Sequence, residues 1–564
     1  TTEIYTLSLH DALPISAFVD TSAMRWSPPV ELSPSETRLC DRLSTHRRFF
    51  RFLRLHRHRL LDDAFQDQLT ALYADKPRGT PPKPPAQLVL AVLLQAYTKA
   101  SDEDVIDELH DNARWRMVLD VHGTKKAPFG KTTFVDFRRR LVESGMGKAL
   151  LTRTVTLAKE TRDFGYKQAA GLRIALDSAP LEGAGKVEDT LNLLGHALRL
   201  LVVVAAAFLG QSREGVAQSS GLTLWSAPSL KAALDLDWSL PDAKNVALRL
   251  ITAQIAAFEA WWQTQKPAAM VPQTVAEAQA LLDRLRAQDT EVNDQGLEQI
   301  RQGVAPDRQI SISDPEMRHG RKHKTQRIDG YKKYSAVDED NTLTVAAGVL
   351  AANVPEAQGA DKLKPDIEAQ GPLAGLDVDR AFLSSQLVRE AEAQGVDVRC
   401  RAPNPTNQGR FPKSSFEVDL VAHTVRCPQG NLAMINGGKA QFQREDCEAC
   451  PQRASCQKEG AKQGRSIAIS EQEEMMQRLR AREKTKEGRA ALRKRTVVEH
   501  VQAHHCRRQG PMARYSGVAK NDYDVQRIAA VGNLMEIDRR EREAQRARAI
   551  TPQIPEAALT RPVF

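Results

Sequence analysis

Four cysteines lie close together in the sequence, and their spacing is typical of a metal site. They are Cys427, Cys447, Cys450 and Cys456, separated by 19, two and five residues. A CxxC pair with two further cysteines at this spacing can bind Zn²⁺ through four thiolates in a structural site that leaves no open coordination position. The segment is polar, so an ion would help it to fold. The alternative is four reduced cysteines without an ion, whereas the isolated Cys40, Cys400 and Cys506 are expected to be packing residues.

Two aspartates follow short alternating apolar segments. In LRIALDSAP the period of two predicts a strand that reaches Asp177 and is ended by Ser178–Pro180, and LAGLDVD predicts a second strand reaching Asp379. An aspartate at a strand end is most often a turn former, because its side chain bonds the backbone that follows. Asp377 lies two residues before Asp379 on the same side of the predicted strand and is the alternative for that position.

A third acidic residue, Glu499, lies in GRAALRKRTVVEHVQAHHCRRQG, which predicts one helix. Leu492, Arg495 and Glu499 have helical spacing, so they are expected on one face, with Arg495 one turn from the Glu499 carboxylate. The alternative is an exposed ion pair with no further role.

The charge of the chain favours a polyanionic partner. Its 564 residues include 80 Lys and Arg against 71 Asp and Glu, which gives a net charge of +9 and a pI near 9.1. Residues 478–548 alone contain 19 basic against nine acidic residues. We therefore expect a phosphate-rich ligand near this segment.

Basic clusters elsewhere extend this expectation. Capping signals at Ser101 and Thr133 precede short helices that end in FRRRL, which fits a helix-turn-helix-like unit or, equally, a helical bundle with a solvated basic face. The run RHGRKHK suits phosphate contacts or a solvated loop. The candidate DNA-binding residues are Arg138, Arg139, Arg140, Arg318, Arg321, Lys322, Lys324, Arg495, Arg507 and Arg508.

The element pattern divides a chain of this length into several units. Strand, hairpin, strand, helix and strand predict an α/β core with a mixed sheet. The apolar run Leu200–Leu209 is too short to cross a bilayer, so a buried helix is expected. The predicted parts are an adapter-derived segment at 1–16, a helical DNA-binding domain at 33–150, an α/β core at 165–182, 308–402 and 476–545, a helical insertion at 183–307, a cysteine-cluster insertion at 403–475, and a tail at 546–564.

With these motifs in hand, the chain resembles bacterial insertion-sequence transposases with a DDE catalytic domain, particularly the insertion-sequence eleven-eighty-two group. The similarity spans about residues 33–545. It depends on the order of SDEDVIDELHDNARWRMVL, TTFVDFRRRL, ALDSAPLEGAGKVEDT, ISDPEMRHGRKHK, LDVDRAFLSS, the cysteine segment and RTVVEH followed by RRQGPMARYSG.

The resemblance implies an RNase H-like core in which Asp177, Asp379 and Glu499 bind two Mg²⁺ or Mn²⁺ ions and catalyse DNA strand cleavage and strand transfer. It implies double-stranded DNA as partner, both transposon ends and target, with terminal inverted repeats bound by the N-terminal helices. It also implies a dimer or higher oligomer, a nucleoid-associated cytoplasmic location and no membrane partner.

The chain departs from the family's Tyr-x2-Arg-x3-Glu-x6-Lys pattern at two positions. Leu492 stands in place of the tyrosine and Cys506 in place of the lysine, with Arg507 adjacent as a substitute phosphate contact. The alternative function is therefore a decayed or domesticated transposase that binds DNA without cutting it.

Overall fold

The computed structural model describes residues 24–44, 47–73, 82–124, 126–167, 170–225, 230–265, 271–323, 325–403 and 406–550. The adapter-like residues 1–16 and Lys324 lie outside these ranges. The chain forms two compact units. The first comprises residues 1–166, 507–509 and 522–564, and the second comprises residues 167–506 and 510–521.

The N-terminal part of the first unit is helical, as the sequence predicts. Ser33 and Ser101 each begin a helix with a capping box. The fourth helix is buried from Pro85 to Ala96, which makes it the centre of this unit. The helices are α1 (Pro34–Asp41), α2 (Arg48–Leu60), α3 (Asp63–Thr70), α4 (Pro85–Thr98), α5 (Asp102–Asp111), α6 (Ala113–Val118), α7 (Lys131–Glu143) and α8 (Met146–Glu160), followed by a 3-10 turn at Arg162–Phe164.

The second unit begins with a long strand and continues into a helical segment, in agreement with the pattern at 183–307. Its elements are β1 (Leu172–Glu182), α9 (Thr190–Leu209), α10 (Arg213–Ser219), α11 (Leu230–Ala233), α12 (Ala243–Gln265), α13 (Gln273–Asp289), β2 (Thr290–Val292) and β3 (Glu298–Ile300). Helix α9 is long and apolar enough to span a membrane by length and composition. It lies in the core of this segment, packed among α10, α12 and α13.

The remaining strands of the main sheet come from residues 318–399. They are β4 (Arg318–His323), β5 (Gln326–Asp338), β6 (Leu343–Ala351), β7 (Leu373–Asp377) and β8 (Asp397–Arg399), with α14 (Glu356–Glu368), a 3-10 turn (Arg380–Phe382) and α15 (Gln386–Ala393) between them. The sheet order is β4-β5-β1-β7-β8, and β6 also pairs with β5. The pairs of β5 with β1, β4 and β6 are antiparallel, whereas β7 is parallel to β1 and β8. The predicted mixed sheet, including the hairpin around residues 338–341, is therefore confirmed.

The cysteine segment folds around its own small sheet. It contains β9 (Glu417–Asp419), β10 (Thr424–Arg426), β11 (Leu432–Asn436), β12 (Lys439–Gln441), α16 (Arg444–Glu448), α17 (Arg453–Cys456) and β13 (Ser466–Ala468), with a 3-10 turn at Lys413–Ser415. The strand order is β13-β12-β11-β10-β9. Phe416, Val425, Phe442 and Ile467 form the centre of its core.

The C-terminal part is helical and differs from the sequence prediction in two ways. It consists of α18 (Glu473–Lys484), α19 (Lys486–Arg493), α20 (Thr496–Gln509) and α21 (Val518–Ile550). The predicted single helix around Glu499 is two helices, because the chain breaks at Lys494–Arg495. Residues 522–550 belong to the first unit, so the predicted core boundary at 545 does not coincide with the division into units.

The predicted end of β1 at Ser178–Pro180 is also wrong, since the strand continues to Glu182. Strand β7 pairs with β1 only from Leu172 to Ala175, whereas β5 pairs with it as far as Glu182. Beyond Ala175 no described strand pairs with the β7 side of β1, and only Glu182 is bridged there, to the segment around Met512. Pro180, which has no N–H to donate, is tolerated there.

Candidate active site

Asp177 and Asp379 are brought together by the parallel register of two strands. Ala175 is paired with Asp377, the last residue of β7. If this pairing is continued by two residues along both segments, Asp177 lies beside Asp379. Asp379 follows β7 and precedes the 3-10 turn at Arg380. The two short strands that pointed to these aspartates in the sequence are therefore also the strands that bring them close together.

Glu499 reaches the same edge of the sheet through the first turn of α20. Its neighbour Val498 is fully buried and packs with Ala175 of β1 and Val337 of β5. Val497 and Val501 pack around this contact. The apolar residues of VVEHV thus anchor the helix, while the intervening glutamate stays half exposed.

Arg495 lies at the centre of the three carboxylates. Its Nη1 atom is 3.8 Å from Oδ1 of Asp177 and 3.3 Å from Oδ1 of Asp379. Its Nη2 atom donates a hydrogen bond of 3.0 Å to Oε1 of Glu499. The structure thus gathers the three acidic residues proposed from sequence around one guanidinium group.

The electrostatic environment of Asp177 differs from that of an exposed aspartate. Burial, with smaller contributions from Asp379 and Glu499, raises the pKa of Asp177 to about 6 against the lowering influence of Arg495 and the Ser178 N–H. Three carboxylates facing one guanidinium carry an excess of negative charge, which a hard divalent cation with oxygen ligands would neutralise. In the described part of the chain, no three His, Cys, Asp or Glu side chains are already arranged around a single ion position.

Asp377, the alternative to Asp379, has a different environment. It is fully buried and contacts Arg399, whose Nη2 atom also bonds Oε2 of Glu339 at 2.8 Å. Burial and Glu339 raise the pKa of Asp377 to about 8. The carboxylate facing Arg495 is therefore that of Asp379, and Asp377 belongs to an ion cluster inside the sheet. Sequence reasoning missed this cluster, because no local pattern links Glu339 with Arg399.

The three arginines proposed as DNA contacts in α7 have unequal surroundings. Arg138 is buried and pairs with Asp102 of α5, and Arg140 stacks over the Tyr73 ring at 4.6 Å. Both hold the helical unit together. Arg139 is exposed and lies 3.3 Å from Asp136, so it alone of the three presents its charge to solvent.

The basic residues of the second cluster divide in a similar way. Arg318 is held by Asp307 at 2.7 Å and by backbone carbonyls, whereas Arg321 and Lys322 are exposed on β4. In the last turn of α20, Arg507 is exposed, and burial lowers the pKa of Arg508. Arg321, Lys322 and Arg507 thus remain the accessible candidates in these two clusters.

The four clustered cysteines line one small cavity of about 30 Å³ in the cysteine segment. Phe416 and Phe442 form part of its apolar wall, and the Arg465 backbone N–H lies 3.4 Å from Sγ of Cys447. Burial raises the pKa of the Cys456 thiol. The fold brings the four residues to one place, although the described side chains are not positioned as ligands of one ion.

Comparison with known families identifies two regions. A family model described as Transposase DDE domain matches residues 427–537, which include the four cysteines, Arg495 and Glu499. A model described as Transposase domain (DUF772) matches residues 42–140, within the N-terminal helices. Searches of curated proteins and of solved structures give no match. These two matches to transposase domains, at residues 42–140 and 427–537, indicate a bacterial insertion-sequence DDE transposase.

Proposed function

We propose that this transposase cleaves the ends of its element and joins them to target DNA, with Asp177, Asp379 and Glu499 as catalytic residues. The observation that carries the proposal is the convergence of these carboxylates, from two strands and one helix, on Arg495. Strands β6, β5 and β1 are antiparallel neighbours, and β7 and β8 continue the sheet from β1 in parallel, which supports an RNase H-like core. The order of the sequence motifs supports membership of the insertion-sequence eleven-eighty-two group.

The donor set fits two Mg²⁺ or Mn²⁺ ions, which when bound would activate a water or a 3′ hydroxyl and stabilise the leaving oxygen. The chain's own residues supply the geometry. Asp177 and Asp379 are fixed by the β1–β7 register, and Glu499 by the buried Val498. Exposed Arg321 and Lys322 on β4 are suited to hold DNA phosphates.

Cleavage of DNA carrying the element's own ends in the presence of Mg²⁺ tests the proposal. We expect Asp177→Ala, Asp379→Ala and Glu499→Ala each to abolish cutting while end binding persists, because the carboxylates are proposed to catalyse cleavage and not to bind the DNA ends. Lys494→Ala removes an exposed charge nearby and serves as the control. Cutting that survives all three substitutions would exclude the assignment, and end binding by a wild-type protein that never cuts would favour the decayed transposase.

We propose further that Cys427, Cys447, Cys450 and Cys456 hold a structural Zn²⁺. Their position around one cavity supports this. Four protein thiolates leave no open coordination position, so the ion would stabilise the segment and take no part in catalysis. Mass spectrometry of the purified protein should find about one zinc per chain, lost in Cys450→Ser and retained in Cys506→Ser. A zinc-free protein with unchanged thermal stability would contradict the proposal.

A further inference from the structure

Arg495 occupies a break between two helices, which gives its side chain an unusual position. Helix α19 ends at Arg493 and α20 begins at Thr496, so Arg495 lies just before the turn that carries Glu499. From there its guanidinium faces the middle of β1 and the residues that follow β7. It is within 4 Å of carboxylates that belong to three separate elements.

The contacts of Arg495 are mainly electrostatic. Among the residues that the structure describes, only Glu499 accepts a well-formed hydrogen bond from Arg495, at 3.0 Å. The Nη1 atom is buried and, within the described residues, donates no hydrogen bond of good geometry, although Asp177 and Asp379 are 3.8 and 3.3 Å away. A guanidinium dedicated to a structural role would make paired bonds to its carboxylates. Arg54 shows the contrast, because its Nε and Nη2 atoms donate hydrogen bonds of 2.8 and 3.0 Å to the two carboxylate oxygens of Glu36.

Carboxylates this close repel one another unless a cation lies between them. Arg495 supplies one positive charge against three carboxylates, so it neutralises them only in part. Its side chain is 18% exposed, while those of Asp379 and Glu499 are more than half exposed. The guanidinium therefore has solvent beside it and can leave the centre of the cluster.

We propose that Arg495 is a displaceable counter-ion, which keeps the three carboxylates together in the metal-free protein and gives up Asp177 and Asp379 when a divalent ion binds there. The hydrogen bond to Glu499 lies within one helical turn and persists. This inference rests on the proposed function, since it takes the three carboxylates as the ion site. Arg495 is a positioning residue in this state, and its effect is on ion binding before any DNA is present.

Thermodynamic linkage gives the expected effect. Ion binding in the wild type must break two ion pairs that the Arg495→Ala variant lacks. Partly exposed pairs of this kind are each weak, so the variant should bind the ion about three- to tenfold more tightly. The same substitution leaves the carboxylates uncompensated without the ion, so the metal-free variant should melt at a lower temperature.

Titration of the full chain with Mn²⁺ alone, by calorimetry or electron paramagnetic resonance, tests this. Arg495→Ala and Arg495→Gln should both show tighter Mn²⁺ binding than the wild type, and Lys494→Ala should not. The deficit in melting temperature of Arg495→Ala should disappear in saturating Mn²⁺. If Arg495→Ala does not fold, the Mn²⁺ affinity of Arg495→Gln alone tests the inference. Binding that is unchanged or weaker in both Arg495 variants overturns the inference.

A parallel titration of Asp177→Asn separates the two proposals. If Asp177→Asn loses Mn²⁺ binding while the Arg495 variants bind like the wild type, the ion site stands and the counter-ion inference fails. If Asp177→Asn binds Mn²⁺ as the wild type does, the assignment of the catalytic site itself fails.

Discussion

Asp177 is a carboxylate whose protonation changes near neutral pH, and this has a consequence for stability. Its pKa in the folded protein is about 6, whereas an aspartate in an unfolded chain has a pKa of about 3.9. The folded state therefore binds more protons between about pH 4 and 6. The favourable contribution of protonated Asp177 is complete below pH 4 and lost as the pH rises through 6.

Urea unfolding of the metal-free protein at pH 4 and pH 7 measures this contribution. We expect Asp177→Asn to be more stable than the wild type at pH 7, by up to about 3 kcal/mol, because a shift of two pKa units corresponds to that free energy. The difference should shrink towards zero at pH 4, where both side chains are neutral. A difference that is equal at the two pH values would show that Asp177 does not titrate in this range.

The sequence predicted the three acidic residues individually, but it predicted only one of the three contacts that Arg495 makes with them. Strand patterns and motif order pointed to Asp177 and Asp379, and helical spacing predicted the contact of Arg495 with Glu499. The approach of Arg495 to the two aspartates depends on the helix break and the β1–β7 register, neither of which is visible locally.

At the scale of elements, the position of α20 depends on a small apolar contact. Val498 is 0% exposed and packs with Ala175 and Val337 beneath the candidate site. We expect Val498→Ala to destabilise the second unit by about 2 kcal/mol, from lost burial and the cavity left behind. Cleavage should fall as well, because Glu499 is the next residue.

The matched control is Val421→Ala, the same substitution at a side chain that is 94% exposed. Denaturant unfolding and cleavage assays on both variants provide the measurement. An equal loss of stability in the two would mean that Val498 does not anchor the helix.

The elements themselves show where local patterns fail. The pattern predicted β1 correctly up to Asp177, but the end that Pro180 suggested is absent, because Pro180 is paired with β5 and no described strand lies on its other side. The continuous helical pattern around Glu499 concealed the break at Lys494–Arg495. In both cases the outcome is decided by neighbours distant in sequence.

At the scale of the whole molecule, the basic excess of residues 478–548 overstates the charge available to DNA. Many of its arginines are paired with acidic side chains of their own unit. The pairs are Arg478–Glu392, Arg482–Asp397, Arg527–Asp524, Arg539–Glu536, Arg542–Asp538 and Arg548–Asp163. The composition therefore indicated a polyanionic partner, as expected for a transposase. The residues available to contact DNA can be recognised only in the structure.

Helix α21 completes the first unit from the far end of the chain. Its Asn533 bonds Thr154 and its Arg527 bonds Gln95, both inside the unit. Ala530 is 0% exposed, so Ala530→Asp would bury an unpaired charge and should destabilise the first unit by more than about 3 kcal/mol.

The control is Ala549→Asp, the same change at an exposed position of the same helix. Limited proteolysis followed by fragment identification should show cleavage within residues 34–164 for Ala530→Asp only. Equal resistance of the two variants would argue that α21 is dispensable for this unit.

The division of the first unit between the two ends of the sequence affects how the protein is made. A ribosome releases residues 34–164 long before it synthesises α21, and the entire second unit is translated in between. During that interval the early helices lack the partner that fills their core. Completion of the N-terminal unit is thus delayed until α21 has been translated, so a chain terminated before α21 would leave that unit unfinished.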